Sequence, residues 1–283
     1  MEYGICMFVT DYSMPAADLG IAVEERNFDA LFIPDHTHIP ASRKSPFRVG
    51  GEMPPDYSHN LDMFIALTAA AAVTKRIRIG SGVCLVAERD PIITAKEVAS
   101  LDKVSNGRFD FGIGGGWNVE EYENHGMPWK RRWKIVRERI EAMQAIWTEE
   151  EASYDGEFVN FENIWSWPKP VQKPYPPIFV GGDAPGTFKR ILRYGDAWIP
   201  MLAEANNNFD LKTERMLELA SLAKDKEHSA YPITTFGTPR DPNAIATLAA
   251  SGVNRCIFGL KAASAEEVLP RLDKIAKFVE TLT

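Results

Sequence analysis

The residues best suited to acid–base chemistry lie in the segment FIPDHTHIP, residues 32–40, at the end of the second apolar run. Asp35 and His36 are adjacent, and His38 follows two residues later. An imidazole titrates near neutral pH, so His36 can act as a general acid or base, while Asp35 can fix its tautomer or bind a polar ligand group. The alternative is a capped strand end with hydrogen-bonded surface histidines.

The same segment contains groups that can ligate a metal, because Asp35, His36, His38 and the later His59 all carry suitable atoms. A metal site at this place would need further ligands from later strand ends. Those ends carry glycine and methionine, and only Asp183 lies nearby. We therefore expect no metal.

Glycine-rich turns follow the third and fourth apolar runs. Ser81 lies between two glycines in IGSGV, and Gly115 and Gly116 precede Trp117 in GIGGGWN. Glycine allows a ligand to approach the backbone closely, or the backbone to adopt an unusual conformation. Together these turns predict room for a flat, bulky ligand, whereas any one of them alone is also typical of a tight turn.

Two segments are candidates for binding an anion. The fifth run ends at Gly181 and Gly182, and we expect a helix to open at Pro185, where free N–H groups and the positive dipole end bind phosphate. The alternative is a purely structural glycine turn. The second segment, WKRRWK at 129–134, either binds an acidic group at the rim of the pocket or forms a solvated helix face.

Eight short apolar runs precede these turns, and we assign them as strands at 3–9, 30–34, 77–83, 108–113, 177–180, 197–201, 233–236 and 255–259. Helical patterns alternate with them at about 15–26, 61–74, 91–104, 130–149, 185–194, 206–226, 241–251 and 264–281. Eight strand–helix units predict an α/β fold of the (β/α)8 TIM-barrel type, with the active site at the carboxyl ends of the strands. The absence of GxGxxG after the first run argues against a doubly wound open sheet.

The chain length fits one such barrel. We expect a single domain over residues 1–283, with excursions at about 37–60 and 154–177. The first excursion follows the second strand and is a candidate lid over the active-site face. The second is a candidate hairpin before the fifth strand.

Composition narrows the range of partners. The net charge of −7 disfavours a nucleic-acid or anionic-membrane surface, so we expect a small-molecule substrate. The longest apolar stretch, 63–73, is shorter than the ~20 residues that a bilayer requires, and the N-terminus lacks a secretory pattern. Three widely spaced cysteines fit a reducing cytoplasm. The alanine-rich helix at 61–74 is a candidate homodimer interface.

Several motifs in their order along the chain resemble the bacterial luciferase-like superfamily of flavin-dependent oxidoreductases, especially its predicted coenzyme F420-dependent group. They are FIPDH, SNGRFDFGIGGGWNVEEYENHG, WPKPVQKPYPPIFVGGDAP and RYGDAWIP, and the resemblance covers residues 3–258. It implies a barrel that binds F420, a deazaflavin, or FMN, with the ring in the barrel mouth and the phosphate at the late glycine loop.

The resemblance also implies roles for particular residues. In the family's sugar-phosphate dehydrogenase branch, the residues that match Asp35 and His36 bind cofactor and supply the catalytic proton. A non-prolyl cis peptide that supports the ring would match Gly82-Val83. The remaining cofactor contacts would match Gly115 and Gly116 of the fourth turn and the phosphate loop, Gly182, Asp183, Ala184, Gly186 and Thr187.

The chain departs from that branch at two positions. Trp117 stands where the branch has a catalytic glutamate, and Pro40 replaces a tryptophan of the substrate pocket. Sugar-phosphate oxidation is therefore not expected, and we assign Trp117, His38 and Pro40 to a different substrate pocket. Glu120 and Glu121 follow nearby but are offset, so neither inherits the glutamate's role by position.

The leading hypothesis is an oxidoreductase that transfers a hydride between reduced F420 and an unidentified small organic substrate, with His36 as the proton group. The alternative is a monooxygenase that uses reduced FMN and oxygen and depends on a separate reductase. A non-catalytic flavin-binding protein is a further alternative, because a fold does not determine its function.

Overall fold

The computed structural model describes residues 1–202, 209–225 and 230–282 and, within them, places eight parallel strands in one sheet. These strands are β1 Glu2–Met7, β2 Ala30–Ile33, β3 Arg78–Ser81, β4 Phe109–Ile113, β7 Ile178–Gly181, β8 Ala197–Ile199, β9 Thr234–Phe236 and β10 Arg255–Leu260. Each overlaps a predicted run. The order β8-β7-β4-β3-β2-β1-β10-β9 closes through parallel bridges from Trp198 to Ile233 and from Met201 to Phe236, so the predicted (β/α)8 barrel is confirmed.

A helix follows each barrel strand, and these helices form the outer layer. They are α1 Ala16–Glu25, α3 Met63–Val73, α4 Pro91–Val104, α6 Arg132–Thr148, α7 Thr187–Tyr194, α8 Phe209–Asp225, α9 Pro242–Ala250 and α10 Ala265–Glu280. Short helices α2 Asp56–His59 and α5 Val119–Asn124 lie in the loops after β2 and β4. Positions 206–208 and 226 of the predicted helix 206–226 lie outside the described residues. None of the described helices has the length and apolar character needed to cross a membrane.

Local sequence accounts for where the helices begin. The Asp90 carboxylate accepts hydrogen bonds from the N–H groups of Ile92 and Ile93 and caps α4, with Pro91 in its first turn. The helix expected to open at Pro185 begins instead at Thr187, with Gly186 at its N-cap. The glycine turn is therefore two residues longer than the sequence pattern indicated.

The barrel core has two layers. Inside the strands, Phe32 and Phe236 meet edge to face at 5.1 Å and pack with Ile199 and Ile257. The second layer lies between strands and helices and contains Trp198, which is fully buried. Because the strands are buried on both faces, their sequences are apolar almost throughout.

Both excursions adopt definite structures. Residues 152–164 form an antiparallel hairpin of β5 Ala152–Asp155 and β6 Asn160–Ile164. The loop after β2 contains α2 and is held to the barrel by the side-chain amide of Asn60, which donates to the His36 carbonyl at 2.8 Å. It is held further by the Tyr12 hydroxyl, which donates to Asp56 at 2.5 Å. The loop thus lies beside the carboxyl ends of the strands.

An ionic cluster closes the opposite, amino-terminal end of the barrel. Arg255 donates to Asp110 and to Glu2 at 2.6 Å each, and Arg78 donates to Asp110 through Nε at 2.8 Å. Burial disfavours the charged form of Asp110, but Arg255 and Arg78 outweigh this effect and lower its pKa. Asp110 and Glu2 together therefore balance the charges of two arginines, one of them buried, beneath the apolar core.

We predict that Asp110→Ala destabilises the protein by about 3–5 kcal/mol, because it leaves two arginines without their buried counter-charge. Urea unfolding followed by circular dichroism measures this loss. The control is Asp273→Ala, which breaks the exposed ion pair with Arg26 and should cost less than about 1 kcal/mol. Equal losses in the two variants would contradict the structural role of the cluster.

Candidate active site

A cavity of about 480 Å³ opens at the carboxyl ends of the barrel strands. Most of the predicted site residues line it, namely Asp35, His36, Gly82, Val83, Gly115, Gly116, Trp117, Gly181, Gly182, Ala184 and Thr187. Asp183, Gly186, His38 and Pro40 lie outside its lining. Its size is in the range of pockets that enclose a small organic ligand.

The Asp35 carboxylate forms its hydrogen bonds within the protein. Its carboxylate accepts hydrogen bonds from Arg89 Nε at 3.0 Å, from Arg89 Nη2 at 2.6 Å and from the Leu85 N–H at 3.0 Å. The side chain is 1% exposed. Asp35 therefore joins the end of β2 to the segment after β3, and its charge is already balanced by Arg89.

His36 presents one ring nitrogen to the protein. Its Nδ1 lies 2.9 Å from Oε2 and 3.0 Å from Oε1 of Glu121, whose side chain is also buried. This contact leaves Nε2 as the nitrogen available to a ligand in the cavity. A carboxylate on Nδ1 orients the imidazole so that Nε2 faces the cavity, which is the arrangement needed to move a proton at Nε2.

Glu121 is the site residue that positional comparison missed. Asn118 caps α5 by accepting from the Glu121 N–H at 3.4 Å, and this places both acidic residues in the first helical turn. The turn directs Glu121 inward to His36. The NVEE sequence, a capping residue before two acids, is the signal that could have located this turn.

Glu120 points the other way and anchors the loop after β2. It accepts hydrogen bonds from the backbone N–H groups of Lys44 at 2.7 Å and Ser45 at 3.1 Å, and from both serine hydroxyls, Ser42 and Ser45. The Ser45 hydroxyl and these other donors lower the pKa of Glu120 to about 2. Glu121 therefore contacts His36, whereas the adjacent Glu120 anchors the loop after β2.

A third glutamate, Glu88, is buried behind the cavity wall. Neither of its oxygens accepts a hydrogen bond from a described donor, and Oε2 lies 4.0 Å from His125 Nε2. Burial, followed by the charges of Glu121 and Asp35, raises the pKa of Glu88 to about 9. Its surroundings therefore favour the neutral carboxylic acid over the carboxylate.

Aromatic rings form the wall around His36. The His36 ring lies 5.2 Å from the ring of Tyr57 and 6.0 Å from that of Trp117. Phe47 contacts both of these rings, at 5.2 and 5.7 Å. Two of the four residues, Phe47 and Tyr57, come from the loop after β2, so this loop builds part of the wall.

Two glycines of the fourth turn make room for protein side chains. A Cβ at Gly115 would lie 2.4 Å from the Trp133 ring, and one at Gly116, where φ is +63°, would lie 2.7 Å from Tyr122. Tyr122 also donates its hydroxyl hydrogen to the Gly115 carbonyl at 2.8 Å. The turn is therefore fixed by packing as well as open to the cavity.

The late glycine loop forms the other end of the cavity. Gly182 has a φ of +97° and open space around its Cβ position. The Thr187 hydroxyl and Arg190 Nη1 are both buried and have no hydrogen-bond partner among the described residues. The Arg190 guanidinium lies 3.4 Å from the centre of the Trp133 ring. These unpartnered donors beside the N-terminus of α7 suit an anion.

The basic run 129–134 does not supply this anion site. Arg131 and Lys134 bind Glu157 of the hairpin, and Arg132 stacks on Trp129 at 3.9 Å. Trp133 alone of this run lines the cavity. Arg190 lies one helical turn after Gly186 and stacks on Trp133, and the sequence analysis did not single it out.

The remaining predicted residues have other partners. Asp183 pairs with Lys212 at 3.2 Å, and its backbone carbonyl accepts from Arg215. His38 hydrogen-bonds Thr37 and Asn124 at the surface.

The peptide bond between Gly82 and Val83 is cis, as the resemblance implied. Across the described ranges, no three His, Cys, Asp or Glu side chains are grouped to hold a metal ion.

Sequence comparison places this barrel in a family. The sequence model of the luciferase-like monooxygenases matches residues 14–243, and the chain belongs to this family of oxidoreductases. Rv0953c, an uncharacterized protein of Mycobacterium tuberculosis, is 38% identical over 282 residues, which cover 98% of both chains. The FMNH2-dependent dimethylsulfone monooxygenase of Pseudomonas putida is 32% identical over 119 residues, 41% of this chain and 32% of that enzyme.

Solved structures share the fold. Monooxygenase RslO1 from Streptomyces bottropensis superposes with a TM-score of 0.77 at 18% identity over 99% of both chains. The coenzyme F420-dependent tetrahydromethanopterin reductase from Methanopyrus kandleri gives 0.72 at 15% identity over the full length of both chains. The family resemblance and the fold expected from the sequence are thereby confirmed.

We predict that Glu88→Gln stabilises the protein increasingly as pH rises. The folded protein retains the Glu88 proton up to about pH 9, whereas the unfolded chain releases it near pH 4.5, so the free energy of unfolding of the wild type falls between these pH values. Glutamine does not titrate. The free energy of unfolding of Glu88→Gln relative to the wild type should therefore rise by at most about 4 kcal/mol from pH 5 to pH 8. Urea unfolding at both pH values measures it, with the exposed Glu123→Gln as the control. A constant difference between Glu88→Gln and wild type would refute the raised pKa.

Proposed function

We propose that the cavity binds a flavin-type cofactor and that the protein catalyses redox chemistry on a small organic substrate beside it. The observation that carries the proposal is the pairing of two different ends in one cavity. One end holds His36, whose Nδ1 faces Glu121, and the other holds Gly182 and Thr187, whose hydroxyl has no hydrogen-bond partner among the described residues. A phosphate fits the second end, because it supplies the acceptor that this hydroxyl lacks, and Arg190, stacked on the cavity residue Trp133, adds an unpartnered Nη1 one helical turn after Gly186.

We further propose coenzyme F420 as the cofactor and hydride transfer as the reaction. In support, an F420-dependent reductase has the same fold along its full length. Cofactor contacts would come from the strand-end residues Gly82, Val83, Gly115, Gly116 and Gly181, and from the loop Gly182, Asp183, Ala184, Gly186 and Thr187. Asp35 would act indirectly in this arrangement, by holding the turn after β3 through Leu85.

In this mechanism the cofactor, when bound, supplies or accepts the hydride. His36 moves the proton: as a substrate carbonyl carbon gains hydride, Nε2 donates a proton to the oxygen, and in the oxidation direction it takes that proton from the alcohol. Glu121 holds Nδ1 and so fixes the orientation of the imidazole. The protein thus provides orientation and binding while the cofactor provides the hydride chemistry.

The walls around His36 support a planar, largely apolar substrate. Tyr57 and Trp117 line the same part of the cavity, where an aromatic or conjugated group can stack, and Phe47 packs against both rings. Trp117 would be the main substrate contact. His38 and Pro40 lie outside the lining and would act through the loop that carries them.

An FMN-dependent monooxygenase is the second candidate function. The observation in its favour is the sequence similarity to the FMNH2-dependent monooxygenase of Pseudomonas putida. In that case reduced FMN would arrive from a separate reductase, and oxygen would be the second substrate. The same phosphate end would hold FMN.

We predict that the protein binds F420 more tightly than FMN in fluorescence titrations, and that Arg190→Met weakens binding of either by roughly 10- to 100-fold, the value of one charge-assisted hydrogen bond. Riboflavin has no phosphate, so its affinity should not change in Arg190→Met. Arg193 lies on the same helix and pairs with Glu141 at the surface, so Arg193→Met serves as the control.

Each result of the titration has a clear meaning. Binding of neither cofactor refutes the proposed function. Preference for FMN, together with oxygen consumption by the reduced complex, establishes the monooxygenase instead. Equal losses of FMN and riboflavin in Arg190→Met would show that Arg190 does not contact the phosphate.

We also propose that the protein works in the cytoplasm as a homodimer, paired through the outer face of α3 and α4. Ile65 in the first turn of α3 and Ile93 in the first turn of the neighbouring α4 are 70% and 60% exposed, and Trp167 is 59% exposed. Lys96 of α4 donates to the Trp167 carbonyl and holds it against this face. Large exposed apolar side chains that lie together are typical of an interface.

We predict that the wild type sediments as a dimer and that Ile65→Asp with Ile93→Asp yields a folded monomer, because two buried charges oppose association. Sedimentation velocity measures the change. Leu217→Asp, at an exposed apolar position on α8, should leave the dimer intact. A monomeric wild type would refute the proposed interface.

A further inference from the structure

We propose that Glu88 is a positioning residue of the active site: as a carboxylic acid it donates a hydrogen bond to Glu121 and holds that carboxylate on Nδ1 of His36. The three side chains then form one buried chain, Glu88–Glu121–His36, that ends at the cavity. The proposal rests on the proposed function only for the role of His36. The chain itself belongs to the folded protein without any ligand.

The first observation is the burial of Glu88 without donors. Its side chain is 1% exposed, and neither oxygen receives a hydrogen bond from any described residue. An ionised carboxylate in such a place would lose its hydration without compensation. A protonated carboxyl needs only one acceptor, and Glu121 lies beside it and provides one.

The second observation is the position of Glu88 in the fold. It ends the short helical turn Val86–Glu88, where its N–H donates to the Leu85 carbonyl at 2.9 Å. Arg139 of α6 fixes the same turn by donating to the Val86 carbonyl at 2.9 Å. Glu88 is therefore fixed by the backbone of this turn, and it lies outside the lining of the cavity.

Charged and titratable groups face Glu88 from every neighbouring segment. They are Asp35 after β2, Arg89 next in sequence, Glu121 and Tyr122 on α5, His125 after α5, and Arg139 on α6. Asp35 uses Arg89, and Arg139 binds backbone carbonyls. Burial and His38 lower the pKa of His125, so it adds no positive charge at neutral pH. Two ionised glutamates here would repel, and one shared proton removes that repulsion.

This arrangement has a chemical consequence. With Glu88 protonated, the two glutamates carry one negative charge, which matches the single positive charge of His36 after it takes a proton from a substrate. When alkali removes the Glu88 proton, the proton leaves as water and two adjacent carboxylates remain. Glu121 then loses its donor and its fixed orientation, and the activity should fall on the alkaline side.

Difference infrared spectroscopy of the full-length protein without cofactor tests the chain directly. Titration from pH 6 to pH 11 should remove one protonated-carboxyl C=O band in the wild type. Glu88→Gln should lack this band. Glu121→Gln should retain it at a shifted frequency, because its acceptor has changed. Glu123→Gln, exposed on α5, should match the wild type. Absence of the band at pH 7, or its persistence in Glu88→Gln, overturns the proposal.

Turnover supplies the second readout, measured as oxidation of reduced F420 by a panel of aromatic aldehydes and ketones. Glu88→Ala should lose tenfold or more in kcat with little change in KM. Glu88→Gln, whose amide still donates to Glu121, should recover most of that loss and lack the alkaline fall. Equal losses in both variants contradict the positioning role. If neither the wild type nor any variant turns over, the proposed function fails. The infrared result still shows whether Glu88, Glu121 and His36 form the proposed hydrogen-bonded chain.

Discussion

The active-site end of this barrel depends on how three buried carboxyl groups are kept from repelling one another. Asp35 is neutralised by Arg89, Glu121 faces His36, and Glu88 is held as an acid. The three carboxyl groups lie on three different segments, namely the end of β2, the turn after β3 and α5. These segments must therefore pack together for the charges to balance. The orientation of His36, and with it any chemistry at Nε2, follows from this packing.

The two ends of the barrel handle buried charge differently. At the amino-terminal end, Asp110 meets two arginines, which leaves no titrating group near neutral pH and makes the cluster purely structural. At the carboxyl end the Thr187 hydroxyl, Arg190 Nη1 and both Glu88 oxygens have no hydrogen-bond partner among the described residues. Unsatisfied polar groups reduce stability, and beside a cavity they are typical of a ligand site.

The sequence predicted the fold and the strand ends well, because buried parallel strands have a clear apolar pattern and glycine turns are distinctive. It located His36 for the same reason. It missed Glu121, Glu88 and Arg190, which come from a loop helix, a helical turn and the second turn of α7. Their roles depend on how these short elements pack against the strand ends. The sequence also placed the start of α7 at Pro185 instead of Thr187, because a glycine turn can end at more than one residue.

An acidic protein that binds an anionic cofactor must concentrate its positive potential where the phosphate lies. The phosphate loop contains an acid, Asp183, which on its own would oppose an anion. Lys212 and Arg215 of α8 bind Asp183 through its side chain and its carbonyl, and so cancel that effect. In the proposed function, Arg190 and the first turn of α7 would then act on the phosphate without an opposing charge. The net charge of −7 is consequently no obstacle to the proposed cofactor, since attraction is set within a few residues of the loop and distant surface charges are screened.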